Sequence, residues 1–101
     1  MFGRSRFKKL IDAQLDLFVR EHRDVIEDVH ARLEAYHVAD RSQAEELYGD
    51  YVDAVETGTE ILADMRDHYA RTVADADEYV RAFNRAVEKR LPEYGLEIEN
   101  R

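Results

Sequence analysis

At 101 residues the chain has room for a single hydrophobic core, and 45% apolar with 38% charged residues is too hydrophobic for a disordered polyelectrolyte and too charged for burial in lipid. A net charge of −8 argues against general nucleic-acid binding, which calls for clustered cations. The absence of cysteine removes disulfides, thiolate metal sites and cysteine nucleophiles.

Apolar runs are no longer than Leu17-Phe18-Val19, far short of the roughly 20 residues a membrane-spanning helix needs. Asp12 and Asp16 also interrupt the stretch that follows the basic amino-terminal residues, so no signal-peptide core forms. The cytoplasm is the expected location.

One proline and four glycines leave little punctuation, which predicts long helices in one domain over residues 1–101. The first runs from about 5 to 38. Its stripe is Phe7, Ile11, Leu15, Phe18, Val25, Val29, Leu33 and Tyr36, alternating three and four residues apart except around His22. Such a helix is about 50 Å long, so the molecule is expected to be elongated. Ser42 and Glu45 read as a capping box that opens a second helix over about 42–73, with a coiled-coil seam from Ala44 through Tyr48, Tyr51, Val55, Gly58, Leu62, Met65 and Tyr69 to Thr72. Asp75 and Glu78 repeat the capping pattern, and Tyr79, Val80, Phe83, Ala86, Val87 and Leu91 mark a third helix over about 76–91. Pro92 and Gly95 stop it, leaving residues 92–101 as a tail that is expected to fray over Leu96 to Arg101.

The short turn sets the first two helices antiparallel, with Val25 near Val55 and Tyr36 near Ala44. The third is half as long and covers only the end holding Phe7 to Phe18, where Leu10 and Leu17 widen the apolar surface. The expected fold is therefore all-α: a long antiparallel helical hairpin plus a shorter third helix, a three-helix bundle. At the uncovered tip, Val25, Ile26, Val29, Leu33, Tyr36, Leu47, Tyr48, Tyr51 and Val52 form an exposed apolar strip, and such strips mark interfaces. A homodimer, or an equivalent protein partner, would complete the bundle there.

Histidine in the middle of a seam needs a partner, and the facing positions are Gly58 and Thr59. His22, Gly58 and Thr59 thus read as a polar core layer, in which glycine makes room for the imidazole and a threonine hydroxyl satisfies it. A buried neutral His22 would also respond to acid. Glu27-x-x-His30 and Glu34-x-x-His37 match a spacing used in carboxylate-bridged di-iron bundles. Helix two offers only Asp64-x-x-x-His68, so a metal site built from Glu27, His30, Glu34, His37 and His68 requires more than one chain and is the alternative to a metal-free, cofactor-free protein. Arg4, Arg6, Lys8 and Lys9 stand at a helix start, where the macrodipole disfavours positive charge. That placement makes them candidates for contact with an anionic partner, such as an acidic protein groove or a membrane surface.

No glycine-rich phosphate loop and no nucleophile with a base at recognisable spacing occurs, so enzymatic chemistry is not expected. The length and hairpin are similar to those of secreted helical-hairpin proteins of the Trp-x-Gly type, but this chain has no tryptophan and the resemblance fails at its defining residue. The residues support a non-enzymatic interaction module, an adaptor, regulator or small subunit.

Overall fold

The computed structural model describes residues 6–101, which are all-helical, with no strand among them. Five α-helices follow in order: α1 (Lys8–Glu21), α2 (Arg23–His37), α3 (Ala44–Ala70), α4 (Ala76–Arg90) and, after a 3₁₀ turn at Pro92–Tyr94, α5 (Gly95–Glu99). The overall extents are 51 × 24 × 24 Å, the elongated form expected of a hairpin with 27-residue α3 as one arm.

The first arm is two helices rather than one. His22, at φ −123° and ψ 37°, leaves the helical region, closing α1 through its N–H to Phe18 O (2.8 Å) and opening α2 by accepting from the N–H groups of Val25 and Ile26. Its ring rests against Phe18, with centroids 5.5 Å apart. This break falls where the apolar stripe skips a step, so the stripe resumes at Val25 on the core side. No proline or glycine is involved.

Neither expected capping box forms, because neither α3 nor α4 carries a side-chain cap. At the α2–α3 turn the work falls to Asp40, whose carboxylate accepts from Ser42 Oγ (2.7 Å) and from the Ser42 and Gln43 N–H groups (3.1 and 3.2 Å). These bonds hold the Asp40 carboxyl below the usual carboxylate range, the Ser42 hydroxyl contributing most. Asp75, expected to cap α4, instead pairs with Arg6.

α4 lies on the wide end of the hairpin, as its length requires. Tyr79 is fully buried against Phe7 (5.5 Å, edge-on), Tyr69 (5.0 Å) and Phe83 (6.0 Å), and its hydroxyl donates to Gln14 Oε1 (2.9 Å). Leu10 joins this core as a half-buried neighbour, whereas Leu17 faces out. Leu91 ends α4 because the following proline disfavours the helical region for it.

The chain beyond Pro92 is not frayed. Tyr94 and Ile98 are fully buried, Gly95 runs close enough to Glu88 that a β-carbon there would sit 3.1 Å from its Cγ, and the segment packs on α3 and α4. Two α3 residues receive it. Gly58 leaves a notch filled by the Tyr94 ring, and Arg66, only 3% exposed, donates from Nη1 to Ile98 O (3.0 Å) and Asn84 Oδ1 (2.9 Å) and from Nε to Asp67 (2.7 Å).

Candidate functional site

The expected interface strip divides in two. Val29 is fully buried, and Val25, Ile26, Leu33, Tyr36, Leu47, Tyr51 and Val52 are half-buried, so the strip is not the open surface its pattern suggests. The carboxy-terminal segment lies over the inner end of the strip. Glu93 Oε2 accepts from His30 Nε2 (2.6 Å), and Tyr94 lies in the Gly58 notch, edge-on to Phe18 at 5.9 Å. Burial, then the Glu93 charge, raises the hydroxyl pKa of Tyr51 above its ordinary value.

Farther out the hairpin stands alone. Among the described residues, every hydrogen bond, ion pair and ring contact made between Arg32 and Asp50 stays within α2, α3 and their turn. Tyr36 and Tyr48 pack across the seam at 5.2 Å, and Tyr48 continues to Tyr51 at 6.0 Å. Tyr48 is 48% exposed and Val38, at the turn, 74%. On one side the short side chains of Ala31 and Ala35, with Leu47, leave a shallow groove of about 260 Å³. Arg32 bridges Asp28 (3.2 Å) and Asp50 (3.6 Å) along it. Apolar and aromatic surface with a charged rim is the composition of a docking surface.

The polar core layer does not form. Gly58 makes room for Tyr94 rather than for His22, since a β-carbon at 58 would lie 2.7 Å from Tyr94 Cζ. Thr59, though fully buried, donates to Val55 O of its own helix (2.8 Å), and His22 is only half-buried, at the helix break.

The alternative metal ligands do not converge within one chain. Glu27, His30, Glu34, His37 and His68 are all exposed, and His30 is engaged with Glu93. Among the described residues no three His, Asp or Glu side chains are grouped closely enough to hold an ion. Of the basic amino-terminal residues, Arg4 lies outside the described residues. Arg6 pairs with Asp75 and stacks over Phe7 at 5.2 Å, Lys8 pairs with Asp12 at 2.8 Å, and Lys9 is exposed. Two of the four charges are therefore already answered within the chain.

A second trough, about 380 Å³, runs between α1 and α4. Its floor is Ile11, Leu15, Ala82 and Ala86, and its banks carry Lys8, Asp12, Arg85, Lys89 and Arg90. Arg90 pairs with Asp16 and Lys8 with Asp12, which closes part of each bank.

Sequence reasoning missed Tyr94, Ile98 and Arg66. The first two left a signal: Leu91, Tyr94 and Ile98 are spaced three and four apart, a helical stripe that continues past the proline. Arg66 left none, because an arginine beside a seam reads as solvated. Comparison with protein-family models, with curated proteins and with solved structures returns no match. No described helix is long and apolar enough to cross a membrane.

Proposed function

We propose that this chain is a non-enzymatic interaction module of the cytoplasm, acting as an adaptor, regulator or small subunit through the outer part of the α2–α3 hairpin. The observation that carries this reading is the tyrosine cluster of Tyr36, Tyr48 and Tyr51, with Tyr48 half in solvent on a two-helix projection that α4 does not reach. Rigid aromatic side chains give large contact area at low entropic cost and are enriched among binding hot spots.

The partner is a second copy. A three-helix body with a two-helix tip is completed by a second tip laid antiparallel, which makes a four-helix layer about a two-fold axis. The alanine-lined groove admits close approach of a helix, and the Asp28, Arg32 and Asp50 row supplies both signs of charge at its rim. Two features support the absence of catalysis: the grooves are shallow, and burial is the leading cause of the raised hydroxyl pKa values of Tyr51, Tyr79 and Tyr94, as expected of packing groups.

Sedimentation equilibrium at micromolar concentration tests the reading. The wild-type chain is expected to associate, and Tyr48→Lys, which buries a charge at the centre of the contact, is expected to leave a folded monomer. A wild-type chain that remains monomeric throughout that range sinks it.

A further inference from the structure

The carboxy-terminal segment covers the base of the surface proposed above. Tyr48, Tyr51, Val55 and Gly58 follow one another at three- and four-residue spacing along α3, so they form one continuous face. The outer half of that face is open, and the inner half is closed by Tyr94 in the Gly58 notch and by Glu93 on His30. The closed half is held less well than its burial suggests. Tyr94 is 1% exposed, yet its hydroxyl is a buried polar atom without a hydrogen-bond partner, so docking carries an uncompensated desolvation cost. α5 is five residues long, too short to be helical on its own, and only Leu91 separates α4 from the 3₁₀ turn.

We infer that residues 92–99 form an intramolecular cap that competes with a second copy of the chain for the α3 face, so that release of Tyr94 from the Gly58 notch strengthens self-association. The inference rests on the tip being the self-association surface. Release exposes the notch and the flank of Phe18, extending the apolar face inward from Tyr51, and a face of twice the length offers the partner helix more contact than the tip alone. The segment closes on itself through three separate features of the chain: the missing side chain at 58, the carboxylate acceptor at 93 and the Ile98 carbonyl on Arg66. Such matched contacts belong to a specific docked state rather than to a random collapse of the chain end.

The test compares dissociation constants of full-length variants by sedimentation equilibrium, with circular dichroism to verify helicity. Tyr94→Ala is expected to self-associate at least about tenfold more tightly than wild type. A synthetic peptide of residues 91–101 added in trans is expected to reverse that gain by refilling the notch. Simple destabilisation would not respond to the peptide. Should Tyr94→Ala lose its helicity, Glu93→Lys carries the decision, because it opens the half-exposed latch to His30 without removing a core side chain; about threefold tighter association is expected. Unchanged or weaker association of the folded variants, or a gain insensitive to the peptide, overturns the cap. Failure of the tip reading looks different: wild type and Tyr48→Lys then sediment alike, whereas failure of the cap leaves Tyr48→Lys effective and the Tyr94 and Glu93 variants silent.

Discussion

The ring of Tyr94 occupies the space that a side chain at Gly58 would need, with an ideal β-carbon at 58 placed 2.7 Å from Tyr94 Cζ and 2.9 Å from its hydroxyl oxygen. Glycine within α3 gives up about 1 kcal/mol of helix propensity relative to alanine, so the exchange is worthwhile only while Tyr94 is docked. Gly58→Ala is therefore expected to destabilise the wild-type chain by about 2 kcal/mol net, overpacking outweighing propensity. In a Tyr94→Ala background the same substitution is expected to stabilise by about 1 kcal/mol. Denaturant unfolding of the four proteins of this double-mutant cycle measures both signs. A Gly58→Ala chain more stable than wild type would refute the contact.

Removing only the hydroxyl of Tyr94 acts in the other direction. That oxygen is buried and unpartnered, whereas the ring fills the notch, so Tyr94→Phe keeps the packing and discards the desolvation cost. The expected gain is about 1 kcal/mol at neutral pH, read as a rise in denaturation midpoint with an unchanged slope. Tyr79→Phe is the control. Its hydroxyl donates to Gln14, so its loss is expected to be neutral or destabilising.

Alkali probes the same two groups. Burial pushes the hydroxyl pKa of both Tyr79 and Tyr94 up to about 12 from an ordinary 10.0, and the Glu93 charge adds to the shift at Tyr94. A folded-state value raised above the unfolded one means that the unfolded chain releases its protons first. The contribution is fully present below about pH 10 and is lost as pH rises through 12. Stability is expected to fall over that window, and less steeply in Tyr94→Phe. Tyrosinate absorbance followed against pH should show two groups titrating near 12 in wild type and one in Tyr94→Phe; six tyrosines titrating together near their ordinary value would contradict the burial.

Much of this architecture was legible because period-3.6 patterning is local. Ile11, Leu15 and Phe18 of the predicted stripe are the buried face of α1, with Phe7 buried just before it, and Arg32 meets Asp50 within two residues of the register the short turn implies. Tyr36 stacks on Tyr48, one turn beyond the Ala44 assigned to it, because large rings reach along the seam. The interruption at His22 is visible in the sequence as a skipped step, and a buried polar layer predicts the same skip. A backbone break and a polar core residue leave the same gap in an apolar pattern. Gly58 marks a space left open, but the local register points to His22 as its occupant, whereas Tyr94, from beyond Pro92, fills it. Proline at the first position of a helical turn starts a helix as readily as it ends one. The buried face of α3 is also wider than a two-helix reading allows, taking in Ala54, Thr59, Ala63 and Arg66 beyond the seam.

Arg66 shows why such a residue escapes pattern reading and what it does. Its guanidinium joins three elements: Nε donates to Asp67 on α3, and Nη1 donates both to Asn84 on α4 and to the Ile98 carbonyl on α5. A planar fork can reach all three at once, whereas a lysine ammonium on a flexible stem presents one point of charge. Arg66→Met is expected to cost about 3 kcal/mol, because Asn84 and Ile98 O lose their donor while remaining enclosed. Arg66→Lys is expected to recover less than about half of that. The loss should be uneven along the chain: hydrogen exchange of the α5 amides is expected to accelerate more than that of α2, where no Arg66 contact exists. If exchange rises equally in α2 and α5, the guanidinium contributes to the core in general and does not tether the terminal segment.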